Sequence, residues 1–192
     1  MNDLNKTDRR CIKTRKAIKN VLIRLMTEKN ISQITIKEIA DEADINRKTF
    51  YSHYADATAV LDDIENDVIE KLDEIISNSD IKKIIYNPYP IFKELTNIIN
   101  EDFDFYKYLI QAASISKLLD KIKYVLKNKI ADMVGSEIKK NKEMLPFAIE
   151  FAVSGTLSVY QEWFNSDRTY SLEEISEVAG SLNFEGPYTI FK

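Results

Sequence analysis

Arg47, Lys48, Thr49, Tyr51 and His53 fall in one short stretch of the chain, with Thr35 and Lys37 a little upstream. Their side chains supply a guanidinium, two ammonium groups, three hydroxyls and an imidazole. Arginine can bridge guanine O6 and N7 with two hydrogen bonds, and lysine reaches the same acceptors. Hydroxyl and ring N–H groups suit phosphate oxygens, in contacts that set register without reading sequence. By this chemistry Arg47 and Lys48 are the candidates for base edges of a duplex. For Lys37, and for Arg9, Arg10, Lys13, Arg15, Lys16 and Lys19 further upstream, a solvated helix face is the alternative meaning.

Other chemistries find little support. One cysteine, Cys11, excludes an intramolecular disulfide, and one histidine, His53, excludes a histidine metal cluster. No GxSxG, P-loop, GxGxxG or HExxH pattern occurs, so the sequence points to no enzyme and to no cofactor. Net charge is −4, but it is unevenly placed: residues 1–54 carry +5 and the remainder −9. A basic head on an acidic body is expected where only the head meets phosphate. Apolar runs are short and broken by charge, and Met1-Asn2-Asp3-Leu4-Asn5-Lys6 lacks the apolar core of a signal peptide, so a cytoplasmic location without membrane contact is expected.

These groups must be positioned by helices. Only 4 Gly and 4 Pro stand against 44% apolar and 30% charged residues, and no strand-period stretch is evident. A first helix is expected over about 8–29, with Ile18, Val21, Leu22 and Leu25 as its buried stripe. Thr35-Ile36-Lys37-Glu38 is a capping box opening a second helix that turns Ile36, Ile39 and Ala40 inward and ends near Ala43. Asn46 caps a short third helix, about 47–53, and the pair has the form of a helix-turn-helix. Asp56 caps a long fourth helix carrying Leu61, Ile64, Val68, Leu72, Ile75 and Ile76. Breaks at 78–80 and 87–90 precede a fifth helix, and 103–113 reads as a buried sixth, apolar nearly all round. Leu118 to Val134 outlines a seventh, Pro146 opens an eighth running to about Phe164, and Ser171-x-x-Glu174 caps a ninth. The expectation is all-α, with about nine helices: a helix-turn-helix domain over 1–55, a helical domain over 56–185 and a tail over 186–192.

Residues 35–61 closely resemble the DNA-binding signature of the TetR family. The resemblance is densest at Thr49-Phe50-Tyr51-x-His53-Tyr54, with Ile39-Ala40 before it and Leu61 after it. It implies that Phe50 and Tyr54 are core residues and that Thr35, Tyr51 and His53 bind phosphate. It also places Lys37 and Thr49, with Arg47 and Lys48, within reach of bases. Two positions depart from the pattern. Asp44 stands where the turn usually has glycine, and Ala57 where the fourth helix often begins with a phosphate-binding lysine.

The stretches from Phe147 through Gly155 to Phe164 and from Ser171 to Leu182 are similar to the last two helices of a subgroup related to dihydroxyacetone-kinase regulators. The resemblance implies a homodimer in which these helices pair across a two-fold axis. Ser154, Gly155 and Ser158 would allow close approach, alongside Ile175, Val178 and Leu182. It further implies a body that binds a small-molecule effector, for which Phe103, Tyr106, Phe147, Phe151, Tyr160 and Trp163 are the candidate lining. Plain aromatic core is the alternative for each. The expected activity is repression from a pseudo-palindromic double-stranded operator. The alternative, motivated by Ala57 and the acidic body, is a co-regulator working through a protein partner.

Overall fold

In a computed structural model the described residues are 3–78, 89–112, 115–135 and 140–185. Among them are nine α-helices and no strand, as the sparse breakers predict. They gather into two compact units, residues 1–68 with 104–115, and residues 69–103 with 116–192. The expected tail over 186–192, and residues 79, 80, 87 and 88 of the expected breaks at 78–80 and 87–90, lie outside the described residues.

In the first unit, α1 (Asp3–Glu28) begins earlier than its apolar stripe alone indicated, since no glycine or proline precedes Asp8. Ile18, Leu22, Ile23, Leu25 and Met26 are buried, whereas Val21 is half-buried, so the buried stripe is turned slightly from the expected one. A 3₁₀ turn (Ile31–Gln33), capped by Asn30, leads to buried Ile34. Helix α2 (Ile36–Glu42) opens with the predicted box: Thr35 Oγ1 accepts from the Glu38 N–H at 3.2 Å, and Glu38 Oε2 accepts from the Thr35 N–H at 2.8 Å. Ile39 and Ala40 are its buried face.

The turn from α2 to α3 (Arg47–Tyr51) passes through Asp44 at φ 53°. That left-handed geometry is the reason glycine is favoured here, and aspartate is among the few other residues that visit it. Asn46 Oδ1 then accepts from the Thr49 N–H at 2.8 Å. Helix α3 stops sooner than expected because the His53 and Tyr54 N–H groups both bond back to the Phe50 carbonyl, tightening the last turn. Helix α4 (Ala57–Ser77) starts where Asp56 Oδ1 accepts from the Ala59 N–H at 2.8 Å, and it buries Val60, Ile64 and Val68. Helix α6 (Phe103–Gln111) is only partly sequestered. Leu109 is buried, but Phe105, Tyr106, Tyr108 and Ile110 are half-buried, because Asp104, Lys107 and Gln111 interrupt the apolar surface that its sequence had promised.

In the second unit, α9 (Leu172–Phe184) packs on α5 (Tyr89–Glu101) and α8 (Leu145–Asn165). Phe92, Ile99, Phe164, Leu172 and Ala179 are buried there. On α8, Ile149 and Val153 pack with Leu126 and Ile130 of α7 (Ile115–Val134). No helix among the described residues is long and apolar enough to cross a membrane.

Candidate nucleic-acid interface

Helix α3 is short enough that its two faces separate cleanly. Phe50 is fully buried, its ring 5.7 Å from Tyr51 and 6.1 Å from Tyr54. Burying that one ring fixes the helix, and Arg47, Lys48 and Tyr51 are left exposed, with Tyr51 58% accessible. Thr49 is half-buried and its hydroxyl donates to Asn46 Oδ1 at 3.1 Å, so it shares the cap instead of pointing freely outward. His53 is half-buried with Nδ1 3.7 Å from Cys11 Sγ, a pairing of the one histidine with the one cysteine that their separation in sequence concealed. Thr35 and Lys37 are exposed at the start of α2, where Thr35 Oγ1 is already engaged with Glu38. Of the proposed set, Arg47, Lys48, Thr49, Tyr51 and His53 thus lie together on and just after α3, while Thr35 and Lys37 lie together on the opening turn of α2.

The basic residues of the head fall into two groups. Arg15 and Lys19 are bound to Asp63, Arg24 to Glu42 and Lys29 to Glu38, within the unit. Lys37, Arg47 and Lys48 form no ion pair among the described residues. The internal pairs leave a mark on acidity. Glu38 is lowered to about 2 by the hydrogen bond from Lys29, then by those from the backbone and side chain of Thr35. At Asp63 burial works upward, but hydrogen bonds from Lys19, Tyr54 and Arg15 outweigh it and hold the carboxyl at about 2.

Comparison with known sequences decides what this head is. Residues 20–64 match the family described as bacterial regulatory proteins, tetR family, and residues 86–183, half of the chain, match the transcriptional regulator C-terminal region of the same family. The chain belongs to the TetR family. Proteins of this family are DNA-binding transcriptional regulators and not enzymes. A curated relative, an uncharacterised HTH-type transcriptional regulator YxbF of Bacillus subtilis, is 34% identical over 55 residues, which are 29% of this chain and 14% of that relative. Solved structures extend the likeness to the whole fold. The fatty acid degradation regulator FadR of Bacillus halodurans superposes with a TM-score of 0.67 at 14% identity, over 90% of this chain and 95% of that one. NalD, the secondary repressor of a multidrug efflux pump in Pseudomonas aeruginosa, gives 0.67 at 17%, over 92% and 97%. The dihydroxyacetone kinase operon activator DhaS gives 0.59 at 20%, over 90% and 94%.

Within this TetR-family chain the six aromatic residues assigned to an effector pocket divide between the units, Tyr106 in the first and Phe103, Phe147, Phe151, Tyr160 and Trp163 in the second. Tyr106 belongs to the first unit, where its ring meets Phe105 at 5.4 Å. Phe103 lies 6.0 Å from Trp163 and 5.7 Å from Phe164, with the Arg168 guanidinium 5.6 Å from its ring centre. Trp163 is buried and donates its indole N–H to the Tyr170 carbonyl at 2.9 Å. Tyr160 is buried in a hydroxyl cluster with Ser176, at 2.9 Å, and Thr96 beyond it. Phe147 and Phe151 are 72% and 65% exposed. Helical spacing does separate them: at 3.6 residues per turn Phe147 and Phe151 fall on one side of α8, and Tyr160 and Trp163 on the other.

The six residues assigned to dimerisation share the surface of α8 and α9. Gly155 and Ser158 are exposed, and Ser154, Ile175, Val178 and Leu182 half-buried. A Cβ placed on Gly155 would meet no atom within 4 Å, so nothing inside the chain requires glycine there. Beside it is a small cleft of about 100 Å³ lined by Phe151, Gly155, Ala179 and Leu182, among others.

Proposed function

We propose that this TetR-family regulator binds a pseudo-palindromic double-stranded DNA operator as a homodimer and acts there as a repressor. A small-molecule effector held by the C-terminal unit would shift its affinity for the operator. The observation that carries the reading is helix α3, whose buried Phe50 leaves Arg47, Lys48 and Tyr51 exposed side by side, with both cations unpaired among the described residues. A dimer would present two such helices to successive major grooves. Here Arg47 and Lys48 read base edges, with Lys37 and Thr49 near them, and Thr35, Tyr51 and His53 hold phosphate. The Cys11 contact at Nδ1 leaves His53 its Nε2 for that role.

Pairing is supported by the face of α8 and α9 on which Phe147 and Phe151 are exposed, so these two belong with Ser154, Gly155, Ser158, Ile175, Val178 and Leu182 rather than with an effector. Phe103, Tyr106, Tyr160 and Trp163 remain candidates for effector contact. Trp163, the one tryptophan, is a built-in reporter, and an effector near Phe103 should alter its fluorescence. Binding in the body changes DNA affinity only as far as the effector prefers one state over the other. A cytoplasmic location follows from this role.

The test is fluorescence anisotropy with duplexes from the regulator's own upstream region at several salt concentrations. The expected result is a palindromic site bound in a strongly salt-dependent manner. A folded dimer that binds no such duplex would sink the reading. The second reading, a co-regulator dependent on a protein partner, draws on Ala57, which is only 8% exposed and offers no phosphate-binding group at the start of α4. Operator binding that appears only with a co-purified, non-identical protein would favour it.

A further inference from the structure

A single carboxylate ties three elements of the head together. Asp63 lies on α4, two turns into the helix, and its oxygens face α1 and Tyr54, three residues past the end of α3. Arg15 Nη2 stands 2.7 Å from both oxygens, Lys19 Nζ 2.7 Å from Oδ2, and the Tyr54 hydroxyl donates to Oδ2 at 2.6 Å. The partners are also joined to one another. Arg15 Nε donates to the Tyr54 hydroxyl at 3.2 Å, and Lys19 reaches Asp67 at 2.6 Å. Lys19 and Tyr54 are buried. The group holds two cations against two carboxylates, so it presents little net charge to an approaching phosphate.

Such a cluster does something that the apolar contacts beside it cannot. Burial of Phe50, Val60 and Ile64 holds α3 and α4 together but is non-directional. Helix α3 is too short to fix its own direction, and the Asn46 cap anchors only its first turn. Its other end leads through Ser52 and His53 to Tyr54, whose N–H bonds back to the Phe50 carbonyl. Hydrogen bonds to an ionised carboxylate are short and geometrically demanding, so they set an angle as well as a distance. We propose that Asp63 is a positioning residue for DNA recognition: through Tyr54, Arg15 and Lys19 it locks the end of α3 and the middle of α1 onto α4, fixing the angle at which Arg47, Lys48 and Tyr51 are presented. Asp63 and its two cations do not themselves touch DNA. This inference rests on the DNA-binding reading above.

The experiment uses the full chain and an operator selected from a random duplex pool, with a scrambled duplex of equal length as the non-specific ligand. Affinity for both is measured against salt concentration for wild type, Asp63→Asn, Asp63→Glu and Tyr54→Phe, well below each melting temperature. Asp63→Asn is expected to weaken operator binding roughly ten-fold, the equivalent of about one charge-assisted hydrogen bond. Scrambled-duplex affinity and the slope of log K against log salt stay as in wild type. Asp63→Glu, which keeps the carboxylate, recovers part of the loss. Tyr54→Phe removes only the hydroxyl and reproduces the loss of specificity in smaller measure, which keeps the test decisive if Asp63→Asn fails to fold. Operator affinity unchanged in the folded variants overturns the proposal. So does a salt slope reduced by about 0.9, which would mark the loss of a phosphate contact instead. Wild-type protein that binds no selected duplex defeats the DNA-binding reading itself, an outcome separate from either.

Discussion

At the scale of single residues, the useful distinction is between cations that are spent inside the head and cations left to a partner. Arg15, Lys19, Arg24 and Lys29 have carboxylates within the same unit, and Arg47 and Lys48 do not. Substitution of the second group should therefore read out directly in binding. Arg47→Ala is expected to cost about 1–3 kcal/mol at the operator and to relax preference at one base position, whereas Tyr51→Phe weakens all duplexes alike. Binding measured across a panel of single-base operator variants separates the two: equal losses across the panel for Arg47→Ala would mean that it, too, touches only phosphate. The sequence made Arg47, Tyr51 and Phe50 legible because one compact pattern places a core aromatic beside exposed polar groups. It did not make Asp63 legible. Its two cations, Arg15 and Lys19, lie far upstream, and a lone aspartate on an amphipathic helix has the same local pattern whether or not it gathers cations. The Cys11–His53 contact was hidden for the same reason.

At the scale of elements, the caps were read correctly from short-range patterns. Thr35, Asn46, Asp56 and Ser171 all accept from a helix N–H as their spacing indicates. Less was visible where tertiary packing decides, as in α6, whose apolar sequence implied a burial that only Leu109 achieves. The turn between α2 and α3 gives a prediction of its own. Asp44 sits at φ 53°, exposed, in a conformation glycine adopts without strain. Asp44→Gly should raise stability by about 0.5–1 kcal/mol, seen as a higher melting temperature; a fall would mean that the carboxylate itself supports the turn. The ion pairs that join the elements predict an acid limit. Asp63 is held at about 2 against an ordinary 3.8, and Glu38 at about 2 against 4.5. Folded values below unfolded ones add stability that is fully present above the ordinary values and disappears as pH falls towards 2. Melting temperature should thus drop between pH 5 and about 2, and Asp63→Asn combined with Glu38→Gln should flatten that decline. An unaltered decline would place the acid sensitivity in other carboxylates.

At the scale of the whole molecule, the question is what glycine does in the middle of α8. Glycine in a helix interior costs about 1 kcal/mol relative to alanine, so a chain that folded alone would gain from replacing it. Gly155 is solvent-exposed, and a Cβ there would meet no neighbour, so no contact within the chain opposes the change. Close approach of a second copy would oppose it, because a partner helix packed against Gly155 leaves no room for a side chain. The two effects have opposite signs, and that makes the position diagnostic. Gly155→Leu should stabilise the helix of the isolated chain while weakening association. Sedimentation equilibrium would then show a shift to monomer, even as melting at high dilution moves upward. Phe147→Glu with Phe151→Glu should also give monomer, by charging two rings that are largely exposed in the single chain. Either monomer carries one recognition helix and should lose most of its affinity for a two-half-site operator while keeping its affinity for a single half-site. Gly155→Leu that is both more stable and still dimeric would remove the close-approach role, and the pairing surface would then have to be sought away from this part of α8.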